Sequence, residues 1–209
     1  MMQPKKRPKF YKSFRARNID GVISDTSKYL EKTKIILDKK ININVEIGFG
    51  NGESVIYMAD KNKIENYVAI ESYTRGISKI INTINKKRIN NIFPLYGDAI
   101  DYFESFFQTN TINKIFIFFP DPWPKKKHRK RRLINEYSIQ LLFDKLKKNG
   151  ILQFSTDNMD YAYSVKKLFS QYLNKKIEFS SHRGFRPITK YERKSLSSNS
   201  LIFDLIVNN

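Results

Sequence analysis

Cysteine is absent from this 209-residue sequence, and its only histidines are His128 and His182. Disulfides, thiolate metal sites and cysteine nucleophiles are thereby excluded, and neither a metal centre nor a Ser-His-Asp hydrolase is expected. The chain has no secretory h-region and no apolar run approaching the roughly 18 residues that a membrane span needs. It is expected neither to cross nor to enter a membrane, and the cytoplasm is the expected compartment. Acidic residues are the next scarcity: none precedes Asp20, and over the whole chain 20 acids face 39 lysines and arginines, a formal charge of +19. Such a field favours polyanions. A chain rich in Lys, Ile and Asn can acquire charge through nucleotide bias alone, so the clustering of the charge says more than its sum.

The cations gather in two blocks. Lys5, Lys6, Arg7, Lys9, Lys12, Arg15 and Arg17 open the chain, interleaved with Phe10, Tyr11 and Phe14. Residues 1–18 read as an arm able to touch phosphates and stack on bases, and equally as a solvated tail. A transit peptide fits less well, because the segment bears Lys and Pro and is poor in Ser. The second block is Lys125, Lys126, Lys127, Arg129, Lys130, Arg131 and Arg132. A hydrophobic content of 40% over this length supports one substantial core. The expected organisation is a basic arm over residues 1–25 and a single domain over 26–209.

Short β-rich runs alternate with segments of helical period. Strands are expected at 43–47, 66–71, 92–96, 114–119 and 151–155, and helices at 26–38, 53–61, 75–88, 99–107, 133–147 and 158–172, with Asn149-Gly150 as a C-cap signal after the fifth. That alternation implies an α/β, doubly wound, mostly parallel sheet. Two last strands, 176–181 and 201–207, have no convincing helix between them and are expected as an antiparallel C-terminal hairpin on the sheet edge.

The first strand runs into Gly48, Phe49, Gly50, Asn51 and Gly52, a glycine-rich turn at the strand end where open α/β sheets bind ligands. A dinucleotide site wants glycine at the sixth motif position, but Glu53 stands there, and a carboxylate repels a pyrophosphate. A phosphate-free adenosine ligand fits better. S-adenosylmethionine is one, and its ammonium and sulfonium charges make Glu46 and Glu53 attractive neighbours. Glu71, ending the second strand, offers two acceptor oxygens to a ribose diol. Asp98, after the third, offers a carboxylate to the adenine amino group. Each acid alone reads more readily as an N-cap or a surface charge; three acids past successive strands, with the glycine turn, reverse that balance in favour of a ligand site.

The fourth strand leads into FFPDPWPKKKHRKRR, residues 118–132. Pro120, Pro122 and Pro124 restrict their predecessors, so Asp121 and Trp123 are expected to be held extended at the mouth of the cofactor site. The basic block alone is as consistent with a solvated helix face or an import signal as with anything else. Directly after an acid at a strand's carboxyl end, contact with RNA phosphates is favoured.

With these residues in hand, the chain resembles the tRNA (guanine-N7-)-methyltransferases of bacterial type, in EIGFGNGE (46–53), IE (70–71), GDA (97–99), PDPWPKKKHRKRR (120–132), STDN (155–158) and PITKYE (187–192). The resemblance implies a Rossmann-like methyltransferase fold and S-adenosylmethionine as cofactor. It implies cofactor contacts from Glu46, Glu71, Asp98 and Asp121, beside the turn glycines Gly48, Gly50 and Gly52, with Asp121 also the catalytic position. Lys125, Asp157, Thr189, Lys190, Tyr191 and Glu192 match substrate positions, and Lys127, His128, Arg129, Lys130, Arg131 and Arg132 match the RNA-contacting stretch. There are two departures. Lys127 replaces a frequent arginine, exchanging a bidentate donor for a point charge, and Asn199 stands where a glycine is expected, although Asn tolerates left-handed backbone.

The implied reaction needs no base. Guanine N7 is unprotonated at neutral pH and can attack a sulfonium methyl without surrendering a proton, which suits a chain short of histidine. The task is positioning, with Asp121 orienting the guanine and favouring the positive charge that develops on it. Lys125 is placed to donate to O6, and Asp157, Thr189 and Glu192 to hold the Watson–Crick edge. Because A-form RNA hides N7 in a deep groove, the expected target is a loop or splayed base, such as a variable-loop guanosine of tRNA. Two other classes stay open: a non-catalytic RNA-binding protein on the same sheet, against which the intact acids argue, and a nucleotide-dependent oxidoreductase, which Glu53 disfavours. Whether the chain is a monomer or a homodimer is not legible.

Overall fold

The computed structural model describes residues 20–39 and 41–209, so the basic stretch of residues 1–18 lies outside the described residues. In chain order the elements are α1 (Asp20–Asp38), β1 (Ile43–Ile47), α2 (Glu53–Lys61), β2 (Asn66–Glu71), α3 (Thr74–Lys87), β3 (Ile92–Tyr96), α4 (Ala99–Ser105) and β4 (Ile112–Phe118). A short 3-10 helix (Lys126–Arg131), α5 (Glu136–Lys145), β5 (Leu146–Thr156), α6 (Met159–Leu173), α7 (Lys190–Ser197) and β6 (Phe203–Asn208) follow.

The six strands form one sheet in the order β3-β2-β1-β4-β5-β6. All pairs are parallel except β5 with β6. The chain reverses its winding between β1 and β4, whose carboxyl ends lie side by side through the pair Ile47–Ile117. A crevice opens at such a switch point because the connections leave it in opposite directions.

Strand alternation sorts side chains to two cores. Val45, Ile47, Val68, Ile70, Ile115 and Ile117 face one core, completed by Phe103, Phe143 and Phe169 from α4, α5 and α6. Phe116 and Phe118 face the other, closed by α2 and α3 through Val55, Met58, Ile77, Ile80 and Ile84. The α3 residues recur at helical spacing and are buried, which is why this segment is a helix. Local chemistry punctuates the helices. The Asp98 side chain caps α4, Asn135 and Ser138 form a capping box on α5, and Asn158 caps α6.

Several boundaries differ from the sequence reading. Helix α1 begins at Asp20 rather than Thr26, and β4 begins at Ile112 rather than residue 114. Helix α5 ends at Lys145, and Asn149-Gly150 does not cap it; the pair lies inside the longer β5, where Asn149 has φ 65° and the register against β4 jumps. The C-terminal edge is antiparallel, but the partner of β6 is β5. Segment 176–181 is not a strand; it meets β6 through the bond from Ser180 N to Asp204 O, 2.8 Å, and through the Phe179 ring, 5.2 Å from that of Phe203. Helix α7 lies between, in a polar stretch whose two apolar residues, Tyr191 and Leu196, are both exposed, and it is capped by the Thr189 side chain. Among the described residues no helix is long and apolar enough to cross a membrane.

Candidate active site

At the switch point lies a cleft of about 1170 Å³, lined among others by Glu46, Gly48, Gly50, Glu71, Asp98, Asp121, Trp123, Arg131, Thr189, Lys190 and Tyr191. Gly48, Gly50 and Gly52 all have positive φ, 73°, 58° and 81°, so the turn demands glycine three times. Gly52 itself does not line the cleft; a Cβ there would meet Ile80 at 3.2 Å, so its smallness lets α2 and α3 close together. A fourth glycine escaped the sequence reading. A Cβ on Gly76 would collide with the Gly50 carbonyl, so the first turn of α3 rests directly on the glycine turn.

The acids arrive from successive strands. Glu46 is 1% exposed; its Oε1 accepts from Ser54 Oγ, while Oε2 is buried with no hydrogen-bond partner among the described residues. Burial pushes its carboxyl up to about 8, opposed by the Ser54 bond and reinforced by the charge of Glu71. Glu71 Oε2 accepts from Gly50 N at 2.8 Å, and Oε1 accepts from Ser72 N and Tyr73 N at 2.7 and 2.9 Å. It therefore holds the turn as well as facing the cleft. Asp98 lines the cleft and also accepts from Ile100 N at 2.8 Å, so ligand-facing acid and helix cap are one residue.

Asp121 stands exposed at the mouth, and among the described residues its carboxylate makes no hydrogen bond or ion pair. Trp123 corrects the expectation of an extended loop. Its φ is 43°, the left-handed region, immediately before Pro124, and Phe119 has φ 49°. Both are unusual for bulky residues and store strain that surrounding contacts must hold. Those contacts are visible: the Arg131 guanidinium lies 4.9 Å over the Trp123 ring, His128 packs edge-on at 5.9 Å, and the Arg186 guanidinium lies 5.4 Å over Phe119.

The basic block is a 3-10 turn, not one uniform surface. Lys125, Lys126, Lys127, Lys130 and Arg131 are exposed, and His128 half-buried. Partial desolvation, then the charges of Arg131, Lys127, Lys125 and Lys130, hold His128 below the usual imidazole range. Arg129 pairs with Asp160 at 3.0 Å. Arg132, expected among the RNA-contacting residues, is turned into the protein instead of toward solvent. It is 5% exposed, donates through Nε to the Pro122 carbonyl at 2.8 Å, pairs with Asp160 and lies 4.7 Å over the Tyr161 ring.

The substrate-matched residues also divide. Thr189, Lys190 and Tyr191 line the cleft, whereas Lys125 and Asp157 are exposed outside it, Asp157 accepting from Ser195 Oγ. Glu192 cannot hold a base edge: it is 1% exposed and pairs with Arg186, itself 3% exposed, and with Arg183 at 3.3 Å. Arg186 further grips Asp204 at 2.8 Å and Ser155 Oγ at 3.0 Å. Nothing local in the sequence marks Arg186 or Asp204; their burial is decided by the sheet face on which they meet. Glu53 is likewise engaged within the protein, its Oε2 accepting from Lys190 N at 2.8 Å and Arg193 Nη2 at 3.1 Å. Asn199 has φ 54°, the backbone expected where a glycine is replaced by Asn.

Comparison with known proteins bears on the family and the fold. The family model described as "Putative methyltransferase" matches residues 40–205. A tRNA (guanine-N(7)-)-methyltransferase of Francisella philomiragia is 34% identical over 185 residues, covering 87% of this chain and 80% of that protein. One from Buchnera aphidicola subsp. Schizaphis graminum is 37% identical over 167 residues, covering 78% and 70%. Among solved structures, an antibiotic-related methyltransferase superposes with TM-score 0.62 at 17% identity, over 84% of this chain and 94% of that one, a likeness of fold.

Proposed function

Because the chain belongs to the tRNA (guanine-N7-)-methyltransferase family, we propose that it methylates N7 of a guanosine in the variable loop of tRNA. The cofactor is S-adenosylmethionine, and the residues present fit it. Glu46 presents a buried carboxyl oxygen without a partner among the described residues, which suits an ammonium; Glu71 presents a carboxylate to a diol; and the acids around the turn disfavour a phosphate. Glu46, Glu71, Asp98 and the backbone of Gly48 and Gly50 are the groups proposed to hold it. When bound, it supplies a methyl group activated by its sulfonium charge.

The chain's own work is placement. The observation that carries the reading is the convergence in one cleft of three strand-end acids, an Asp121 at its mouth that has no partner among the described residues, and a basic turn at its rim. Asp121 orients the guanine and favours the positive charge developing on the purine, with no proton to remove. Trp123 and Arg131 wall the entrance, and Thr189, Lys190 and Tyr191 face them from α7. Lys125, Lys126, Lys127, Lys130 and Arg131 receive tRNA phosphates. The cytoplasm, where tRNA is found, is the compartment this reading implies. Purified protein incubated with methyl-labelled cofactor and tRNA, followed by strand scission specific to N7-methylguanosine, tests it. Label at another position, or none, defeats the reading.

A further inference from the structure

The two sides of α7 are held by different chemistry. On the buried side, Glu192 joins the network of Arg186, Asp204 and Ser155, where removing one partner strands a buried charge. On the cleft side the hold is one carboxylate oxygen: Glu53 Oε2 accepts from Lys190 N at 2.8 Å and from Arg193 Nη2 at 3.1 Å. The Lys190 N–H opens the first turn of α7, where the helix has no partner of its own for it. The Glu53 and Arg193 side chains are 36% and 57% exposed, so water competes for the pair and its hold is weak. Glu53 is also the first residue of α2, directly after Gly52, and it lines the same cleft as Thr189, Lys190 and Tyr191. The contact continues beside it, since a Cβ at Gly50 would stand 3.4 Å from the Tyr191 ring.

We propose that Glu53 is a positioning residue that latches α7 to the glycine turn, so that the turn holding the cofactor also sets where Thr189, Lys190 and Tyr191 meet the base. The inference rests on the proposed function for the identity of that base. In this role Glu53 is spent on the protein and not on the cofactor, which separates it from Glu46 and Glu71. Its failure in the dinucleotide pattern acquires a use: a glycine at this position has no side chain with which to reach α7.

The full chain tests the latch in two arms. Without any substrate, Glu53→Ala raises amide exchange at residues 190–193 by about tenfold, whereas Glu53→Gln, whose amide oxygen still accepts the Lys190 N–H, changes it far less. With tRNA and S-adenosylmethionine, Glu53→Ala lowers kcat/KM for tRNA about tenfold while S-adenosylhomocysteine affinity, by calorimetry, stays within about twofold. Arg193→Met gives a smaller loss, and the double variant is no worse than Glu53→Ala, because both remove one contact. Unchanged exchange and kinetics in Glu53→Ala overturn the latch. So does a fall in S-adenosylhomocysteine affinity that matches the fall in kcat/KM, which makes Glu53 a cofactor ligand. If Glu53→Ala does not fold, Glu53→Gln and Arg193→Met carry the same comparison. Should the wild-type chain methylate no tRNA, the proposed function fails while the exchange arm still decides the latch.

Discussion

Arg132 donates through Nε to the carbonyl of Pro122 at 2.8 Å, ten residues back along the chain, while its other nitrogens reach Asp160 and Ser164 on α6. The last cation of the basic block therefore fastens the loop that carries Asp121 to the body of the domain. Cations at its two ends have opposite duties, one set facing solvent and one buried.

That division is measurable by salt dependence. Replacing Lys126 and Lys127 by alanine removes exposed cations, and the log–log slope of tRNA binding against salt falls by about one to two units with cofactor affinity and melting temperature unchanged. Arg132→Met instead leaves Pro122 O without its donor and Asp160 with Arg129 alone, and lowers the unfolding free energy by about 1–3 kcal/mol. An unchanged slope in the lysine variant means that those two lysines do not touch phosphate.

Asp121 makes no hydrogen bond among the described residues, so its removal frees no buried partner and the fold survives. Asp121→Ala lowers kcat by about a hundredfold or more, and Asp121→Asn retains part of the activity, because its role is placement and charge and not proton removal. Single-turnover methylation with matched circular dichroism reads this. Near-wild-type turnover in the alanine variant removes Asp121 from the chemistry.

Glu46 predicts a pH dependence. Its carboxyl stands at about 8 in the folded chain against 4.5 for the ordinary group, so the folded state binds the extra proton between those values. The stability it contributes is full below about 4.5 and is lost as pH rises through about 8. An ammonium placed beside it favours the ionised form, so S-adenosylhomocysteine binds more tightly as pH rises from about 6 to 8, by up to about tenfold per unit, releasing a proton. Glu46→Gln flattens the profile and weakens binding. Calorimetry in buffers of different ionisation enthalpy measures the proton, and an absence of release at about pH 6.5 contradicts the assignment.

Gly76 makes the simplest structural prediction. A Cβ there runs into the Gly50 carbonyl, a backbone atom with no rotamer to change, so α3 or the turn must move. Gly76→Ala weakens S-adenosylhomocysteine binding by about tenfold or more, although alanine is the better helix former by about 1 kcal/mol. Equal or tighter binding shows that the turn has slack.

The parallel strands, the glycine turn and the acids at Glu46, Glu71, Asp98 and Asp121 are legible in the sequence, because each depends on chemistry within a few residues, whereas segment 176–181 reads as a strand and is not one. Alternation sets a strand, glycine permits positive φ, and a strand's end places the residue after it at the ligand edge of the sheet. Helix α7 is not legible as a core-facing helix, since its two apolar residues, Tyr191 and Leu196, are both exposed and its ties to the domain include the polar ones to Glu53 and Arg186. The same limit hides the roles of Arg132, Glu192 and Arg186. A charged side chain has one composition whether it faces water or a buried partner, and only the meeting of β5, β6, α6 and α7 puts opposite charges within reach. Glu53 and Lys190 lie 137 residues apart in the chain and 2.8 Å apart in the cleft. Local rules decide which elements form and where the ligand edge lies; which cations face solvent and which pair within the protein is decided by long-range contacts, because burial of charge is set by neighbours that sequence proximity does not supply.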